Sequence, residues 1–206
     1  MECFAYRSTI FPLCLEYMRV IAGKFRSRPL RSLRGMELRP TSDRLRETLF
    51  NILEAGAAAA GLVDTVWIDL YAGTGAVGIE ALSRGAAMVY FVESSKKAAA
   101  LIRQNLAGMG IEEGFQVIER EAAQALRLLD AEAVACDFCF LDPPYKMRSA
   151  YEEALGFLSQ SRLLRPSSAV IAEHEKRFDP GGSFGSLQRY RKLEQGDAAL
   201  SFYRLG

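Results

Sequence analysis

The segment Asp142-Pro143-Pro144-Tyr145 places a carboxylate, two prolines and an aromatic ring side by side, directly after an apolar run at 138–141. Each proline removes a backbone N–H donor and stiffens the chain, which leaves carbonyl and carboxylate oxygens as acceptors. Such a surface suits the exocyclic amino group of a base, because the acceptors can hold its two N–H bonds while its nitrogen acts as a nucleophile. Tyr145 offers a face on which a base can stack. The alternative interpretation is a turn that ends a strand and carries a surface tyrosine.

A glycine-rich segment forms a second candidate site. Gly73, Gly75 and Gly78 follow an apolar run at 66–70 with the spacing Gly-x-Gly-x-x-Gly, and Glu93 ends the next apolar run. Glycines there let the backbone approach a ligand closely, and a carboxylate at the second strand end can accept hydrogen bonds from ribose hydroxyls. The pattern alone fits a nicotinamide or flavin enzyme nearly as well, and a purely structural turn is a further alternative.

Asp69 favours a different ligand. This carboxylate ends the first apolar run before the glycines, where it is poorly placed for a pyrophosphate but suits an ammonium group. S-adenosylmethionine carries an ammonium group in its methionine portion and a ribose diol that Glu93 could bind. Glu121, at the end of the third predicted strand, could accept from the adenine amino group. These carboxylates together favour S-adenosylmethionine as the cofactor.

The charge of the chain is unevenly distributed. The formal net charge is +1, but residues 18–46 hold nine basic and two acidic side chains, a local charge of +7. A basic segment on an otherwise mildly acidic chain indicates that a polyanion binds at this one place. Eight of the nine cations are arginine, which favours contacts with phosphates and bases. The alternative is a solvated surface hairpin. The candidate nucleic-acid-binding residues are Lys24, Arg26, Arg28, Arg31, Arg34 and Arg44.

Strands and helices alternate along most of the chain. After short strands and turns in the basic segment, a helix opens at 41–43 and ends in an alanine- and glycine-rich connector at 55–61. The predicted strands are 66–70, 88–92, 115–118, 138–141 and 169–172, the predicted helices 76–84, 96–109, 122–129 and 151–158, and the final antiparallel pair 187–193 and 199–203. Near-continuous apolar strands alternating with helices predict a doubly wound α/β domain, which binds ligands beyond the carboxyl ends of its strands.

Composition excludes several classes of protein. The 206 residues are 50% hydrophobic and 25% charged, which is typical of a globular chain, and no apolar run approaches the ~18 residues that cross a bilayer. We expect no signal peptide and a cytoplasmic location.

Cys136 and Cys139 should point to opposite faces of a strand and be buried rather than bind a metal. His174 should be a surface or cap residue.

The Asp-Pro-Pro-Tyr segment and the glycine loop together resemble the amino-group methyltransferases that act on bases or amides. Four further segments narrow the resemblance: Met-Arg-Val-Ile-Ala-Gly-Lys at 18–24, Arg-Pro-Thr-Ser-Asp-Arg at 39–44, Arg-Glu-Thr-Leu-Phe-Asn-Ile-Leu at 46–53 and Gly-Ile-Glu-Ala-Leu-Ser-Arg-Gly-Ala at 78–86. With these the chain resembles the RsmD family, bacterial enzymes that methylate N2 of a guanine in 16S ribosomal RNA. The resemblance extends from Met18 to about Tyr203.

The resemblance implies a fold and a division of the chain. The fold would be a doubly wound, Rossmann-like class I S-adenosylmethionine-dependent methyltransferase with a terminal antiparallel strand pair and a small basic N-terminal β/helix extension. Residues 18–61 would form the basic hairpin and helix, and residues 62–206 the methyltransferase domain. Met18 aligns with the usual start of the family, so we expect residues 1–17 to be an extension, disordered or upstream of the true start.

The resemblance also implies roles for single residues. Asp142 and the carbonyl of Pro143 would hold the guanine amino group, and Tyr145 would stack on the ring. The implied cofactor-binding residues are Asp69, Gly73, Gly75, Glu93, Glu121, Arg39 and Thr41, the last two within a stretch at 39–46 that would cover the cofactor and approach RNA. Family members usually carry Asp at the position of Glu121, and a Tyr-Gly pair is common where this chain has Gln195-Gly196.

The function that follows is transfer of a methyl group from S-adenosylmethionine to N2 of a guanine in 16S rRNA, within the small ribosomal subunit or a precursor. We expect a monomer without a metal ion or a membrane partner. One alternative is an enzyme that acts on another amine, adenine N6 in DNA or RNA or a glutamine amide. A second is a non-catalytic RNA-binding assembly factor, although such a descendant would be expected to lose the tetrapeptide or the glycine loop, and both are intact.

Overall fold

The computed structural model describes residues 18–32, 43–56 and 61–206. The helices are α1 (Asp43–Gly56), α2 (Ala76–Ser83), α3 (Lys96–Gly108), α4 (Ala122–Ala131) and α5 (Ser149–Leu158). The strands are β1 (Val66–Leu70), β2 (Met88–Val92), β3 (Phe115–Ile118), β4 (Cys136–Leu141), β5 (Leu164–Glu175), β6 (Ser183–Phe184), β7 (Leu187–Gln195) and β8 (Ala198–Leu205). The predictions for residues 1–17, Arg34, Arg39 and Thr41 lie outside the described residues.

Within the described residues the strands form one sheet in the order β3-β2-β1-β4-β5-β8-β7-β6. Strands β1 to β5 are parallel, and β8 lies antiparallel between β5 and β7. The predicted doubly wound sheet with a terminal antiparallel pair is confirmed. Because β1 lies between β2 and β4, the segments that follow these three strands meet at one edge of the sheet.

Apolar side chains cover both faces of the sheet. One cluster combines residues of α1, α2 and α3 with the sheet, and within it Trp67 packs between Phe50 of α1, with ring centroids 5.3 Å apart, and Phe138 of β4, 4.6 Å away. The second cluster lies under α4 and α5. Met18, Val20 and Leu30 belong to the first cluster, so the described residues before 57 and those after 60 share one core.

Residues 18–32, which we call the N-terminal arm, fold back on themselves and dock on α2. The N–H of Val20 donates to the carbonyl of Arg28 at 3.0 Å. The short strands predicted here amount to one isolated antiparallel bridge between Arg19 and Pro29. Gly23 has φ +79°, and a Cβ there would lie 1.9 Å from the carbonyl oxygen of Ser83. Glycine is required because the arm touches the backbone of α2 directly.

Strand β5 is much longer than predicted. It covers Leu164–Glu175 rather than 169–172, since residues 198–203 of β8 lie beside its second half and pair with Glu173 and His174 among others. The prediction that His174 is a surface or cap residue is therefore wrong. His174 is fully buried, and its Nε2 lies 2.9 Å from Oγ of Ser201 on β8. The two-residue strand β6 was also not predicted.

The cysteines of β4 are buried, as predicted, but not on opposite faces. Cys136 and Cys139 both pack in the cluster under α4 and α5, because the register of β4 against β5 shifts between Cys136 and Phe138. Burial raises the pKa of Cys136 to about 12, which keeps its thiol protonated. Among the described residues, His, Cys, Asp and Glu side chains form no group of three that could hold a metal ion. None of the helices in the described ranges is long and apolar enough to span a membrane.

Candidate active site

A tight turn connects β1 to α2 at the carboxyl edge of the sheet. Tyr71, Gly73 and Gly75 have φ of +65°, +57° and +79°, a left-handed conformation that glycine adopts without strain. Gly78 in the first turn of α2 lies so close to β2 that a Cβ there would come within 2.3 Å of the Phe91 ring. The glycine pattern therefore has two causes, the backbone conformation of the turn and the close packing of α2 on the sheet.

Glu93 faces this turn from the end of β2. Its Oε2 accepts a hydrogen bond from the N–H of Gly73 at 2.9 Å, and its Oε1 accepts from the N–H of Ser95 at 2.8 Å. A carboxylate has about four acceptor sites, so each oxygen can still accept from a ligand hydroxyl. Gly73 and Glu93 come together as the sequence predicts.

Asp69 lies behind the turn and is only 2% exposed. Its Oδ2 accepts from the N–H of Gly78 at 2.9 Å, so the carboxylate holds the start of α2 against β1. Burial raises the pKa of Asp69 to about 7, the hydrogen bond from Gly78 opposes this, and the charge of Glu93 adds to it. A cation bound nearby would reverse the shift, because it stabilises the ionised carboxylate.

The raised pKa makes stability depend on pH in a defined direction. An acid whose pKa is higher in the folded protein binds more protons there than in the unfolded chain between about pH 4 and 7, so stability falls as pH rises through this range. For Asp69 the loss should be on the order of 1 kcal/mol per pH unit. Asp69→Asn keeps an oxygen that can accept from Gly78 but cannot ionise. The part of the pH-dependent loss of stability that comes from Asp69 should therefore be absent in this variant.

Thermal unfolding of the cofactor-free protein between pH 4.5 and 7.5 measures this loss. Asp64→Asn is the control, because Asp64 is an exposed carboxylate on the connection before β1. A wild-type slope retained in Asp69→Asn would show that the ionisation of Asp69 is not coupled to folding.

Asp142 lies beside a carboxyl group that the sequence analysis did not single out. Leu141 of β4 pairs with Ala172 of β5, so the next residues, Asp142 and Glu173, are neighbours at the carboxyl edge of the sheet. Glu173 is only 3% exposed. Burial raises the pKa of Asp142 well above its usual range, and the negative charges of Glu173 and Asp69 raise it further. Three carboxyl groups thus converge at this edge, a setting that attracts cations and favours sharing of a proton.

The segment that follows the tetrapeptide packs against the end of β5. Tyr151 of α5 is buried and donates its hydroxyl hydrogen to the backbone carbonyl of Glu173 at 2.7 Å. Its ring lies 5.3 Å from that of Phe178, and the guanidinium of Arg148 lies over the same Phe178 ring at 5.1 Å. Pro143 is buried and Tyr145 is partly exposed. These contacts fix the loop that follows the tetrapeptide against the end of β5.

Five of the six basic side chains predicted to bind nucleic acid lie within the described residues, on the surface of the arm and of α1. The exposed members within the described residues are Lys24, Arg26, Arg28, Arg31 and Arg44. Arg26 and Arg44 line one surface cavity of about 400 Å³ together with Arg19, although Asp43 and Glu47 contribute negative charge to the same cavity. The structure therefore brings cations from two separate segments to one surface.

Glu80 of α2 binds the backbone of the N-terminal arm through its carboxylate. Its two carboxylate oxygens accept from the backbone N–H groups of Ile21 at 2.7 Å and Ala22 at 2.9 Å, and Nε of Arg84 donates to it at 2.8 Å. Glu80 and the nearby Arg46 are both fully buried, with 3.9 Å between a Glu80 oxygen and Nε of Arg46. The helix that begins at the glycine turn thus also holds the backbone of the arm.

Glu121 is the remaining described member of the predicted cofactor set. It precedes α4 at the carboxyl edge, on the β3 side of β2, and its side chain is exposed. Glu93 is hydrogen-bonded to Gly73 in the glycine turn, Gly75 belongs to the same turn, and Asp69 bonds to Gly78 directly after it. Glu121 is separated from this group by one strand.

This sheet order, with the glycine turn after β1 and a carboxylate at the end of β2, defines a Rossmann-like class I methyltransferase fold. The chain belongs to the RsmD family, since residues 18–204 match the family model described as Conserved hypothetical protein 95.

Individual relatives agree with this assignment. The chain is 36% identical to Ribosomal RNA small subunit methyltransferase D of Haemophilus influenzae, over 77% of this chain and 79% of that protein. It is 30% identical to the candidate rRNA methyltransferase YlbH of Bacillus subtilis, over 91% and 98% of the two chains. The solved structure of the candidate methyltransferase yhhF of Escherichia coli superposes with a TM-score of 0.77 at 29% identity, covering 92% of this chain and 98% of that one. The solved structure of SMU.776, a candidate methyltransferase complexed with SAH, shares the fold alone, at 14% identity and a TM-score of 0.58 over 78% and 49% of the two chains.

Proposed function

We propose that this protein transfers a methyl group from S-adenosylmethionine to the N2 amino group of a guanine in 16S rRNA, within the small ribosomal subunit or an assembly intermediate. The observation that carries the proposal is the juxtaposition of the proline-rich segment at 142–145, which offers carboxylate and carbonyl acceptors, with the glycine turn, after adjacent strands at one sheet edge. Relatives named rRNA small subunit methyltransferases support an rRNA substrate.

The residues around the turn fit the chemistry of this cofactor. Glu93 would bind the ribose hydroxyls while keeping its hydrogen bonds to Gly73 and Ser95. The carboxylates of Asp69, Asp142 and Glu173 would favour a ligand that carries positive charge. Glu121 would accept from the adenine amino group, and Arg39 and Thr41 would cover the cofactor. S-adenosylmethionine supplies a methyl group that its sulfonium has already activated.

The protein's own task is then to hold and align the amine. Asp142 and the carbonyl of Pro143 would accept the N–H bonds of the guanine, and Tyr145 would stack on its ring. Alignment of the nitrogen with the methyl carbon and sulfur lowers the entropic part of the barrier. Positive charge develops on the amine as its lone pair is used, which nearby carboxylates stabilise. The amine finally loses one proton, and the carboxyl pair Asp142–Glu173 is placed to accept it.

The target guanine should be unpaired or flipped out. A base inside a duplex presents its N2 group to its partner and could not enter a site formed by the strand ends. Single-stranded or flipped bases can stack on an aromatic side chain, as proposed for Tyr145.

Labelled methyl transfer tests the proposed function. Small ribosomal subunits from cells that lack this methylation should take up close to one labelled methyl group per particle from S-adenosylmethionine. Subunits from cells that carry the methylation are the matched control and should take up almost none. Equal labelling of both particles, or none of either, would contradict the proposal.

The cations of the arm should contribute to RNA binding through phosphate contacts. Changing Arg26, Arg28 and Arg31 together to alanine should weaken binding to the subunit and flatten its salt dependence by up to ~0.7–0.9 in slope per lost contact. Filter binding across a salt series measures this slope.

A variant with the same change of charge elsewhere controls for net charge. Arg162, Arg165 and Arg191 are exposed and belong to the region around β5 and β7 rather than to the arm, so their triple alanine variant should keep the wild-type slope. Equal slopes in all three proteins would mean that the arm is only a solvated surface.

A further inference from the structure

Asn105 of α3 connects two segments far apart in the chain through both N–H groups and the oxygen of its side-chain amide. Its Oδ1 accepts from the backbone N–H of Arg31 at 2.9 Å. Its Nδ2 donates one hydrogen to the carbonyl of Arg31 at 3.2 Å and the other to the carbonyl of Thr74 at 2.9 Å. The side chain is 3% exposed. Helix packing alone would be served by an apolar residue, as at its neighbour Leu106.

The two segments that Asn105 connects belong to the two proposed ligand sites. Thr74 stands between the two left-handed glycines of the turn, whose Gly73 bonds to Glu93. Arg31 is an exposed cation of the arm, held at its backbone. The other end of the described arm also meets the turn, since Oγ1 of Thr74 lies 3.6 Å from Sδ of Met18.

We propose that Asn105 is a positioning residue that couples cofactor binding at the glycine turn to RNA binding at the arm, so that each ligand tightens the other. This inference rests on the proposed function. A ligand on the turn restricts the carbonyl of Thr74, and RNA on the arm restricts the backbone of Arg31. Each ligand therefore favours the state in which all three hydrogen bonds of Asn105 are formed. The ligand that binds second then loses less conformational entropy on binding. Such coupling is reciprocal.

The test compares subunit affinity with and without the non-reactive product S-adenosylhomocysteine. Filter binding of unmodified small ribosomal subunits to the wild-type protein should tighten about five- to tenfold at saturating S-adenosylhomocysteine, within the usual range of coupling. In Asn105→Leu the factor should fall to about one. Asn105→Asp should also lose it, because a carboxylate keeps the acceptor for Arg31 but has no donor for Thr74.

Ser83→Ala is the matched control. Ser83 also holds the arm, through the N–H of Phe25 at 2.9 Å and the carbonyl of Ala22, but it does not contact the glycine turn. This variant should bind subunits less tightly yet keep the wild-type coupling factor. Loss of coupling in Ser83→Ala to the same extent as in Asn105→Leu would assign the effect to arm stability and overturn the role of Asn105.

Hydrogen exchange of the wild-type protein keeps the inference testable even where the variants do not fold. S-adenosylhomocysteine should slow exchange of the Arg31 amide several-fold, while the Ala22 amide, which Glu80 holds, should change much less. Unchanged Arg31 exchange, or wild-type binding of both ligands with a coupling factor of one, would overturn the inference and leave the proposed function intact. Failure of wild-type protein to bind either ligand would instead contradict the proposed function itself.

Discussion

Asp142→Asn should methylate its substrate roughly ten- to a hundredfold more slowly than wild type, although the two side chains are nearly isosteric. Guanine presents N1–H and N2–H side by side, and a carboxylate can accept both hydrogen bonds at once. An amide has a single oxygen, so one donor is left unmet or faces the NH₂ group. Loss of one charge-assisted bond costs ~1.5–3 kcal/mol, and Asp142→Ala should cost at least as much because no acceptor is left.

Single-turnover methylation of unmodified small subunits at saturating S-adenosylmethionine measures this rate. The wild-type rate should also rise with pH as Asp142 loses its proton, because burial and the neighbouring carboxylates hold the pKa of Asp142 well above its usual range and only the ionised form accepts two donors. Asp137→Asn is the control, since Asp137 lies at the opposite end of β4 and binds the N–H of Val66. A rate for Asp142→Asn equal to that of the parent would contradict the bidentate role of Asp142.

Glu80→Ala should lower the free energy of unfolding by about 3–5 kcal/mol, the usual cost of removing one partner from a buried ion pair. The change leaves the N–H groups of Ile21 and Ala22 without their acceptor. It also removes a negative charge 3.9 Å from the buried guanidinium of Arg46. Burial already lowers the pKa of Arg46, against the opposing effect of Asp43 and Glu80, so this cation depends on its carboxylates.

Chemical denaturation of the purified variants measures the loss. Glu54→Ala is the control, because Glu54 also pairs with Arg84, at 2.8 Å, but its side chain is 46% exposed. Exposed ion pairs contribute at most about 1 kcal/mol, so Glu54→Ala should change stability little. If Glu80→Ala were no less stable than Glu54→Ala, the arm would not be held by Glu80.

The parallel strands could be predicted because each is buried on both faces and forms a continuous apolar run. Strands β1, β2 and β3 have the bounds that the sequence predicts. The ends of β5 could not be predicted, because they carry exposed residues at 165–167 and the polar side chains of Glu173, His174 and Glu175. The charged end becomes a buried strand only because β8 lies beside it, and a pairing between segments this far apart leaves no local signal.

Site residues could likewise be predicted where they lie in a local sequence pattern, and not where their role depends on contacts with distant segments. Asp69, Glu93 and Asp142 lie at the ends of apolar runs. Ligands of parallel sheets bind beyond the carboxyl ends of the strands, so these positions predict a ligand site. Asn105 and Glu80 lie inside helices, and their partners are 74 and 59 residues away in the chain. Glu173 was concealed by the underestimated length of β5. For each of these three, the available signal was a polar residue among the buried positions of its helix or strand.

The identity of the methylated nucleoside tests the central proposal most directly. Unmodified small subunits would be labelled from S-adenosylmethionine, their RNA digested to nucleosides, and the labelled product identified by chromatography and mass spectrometry. The expected labelled product is N2-methylguanosine from 16S rRNA. Label in N6-methyladenosine, or in a protein amide, would contradict the guanine specificity proposed for Asp142, Pro143 and Tyr145.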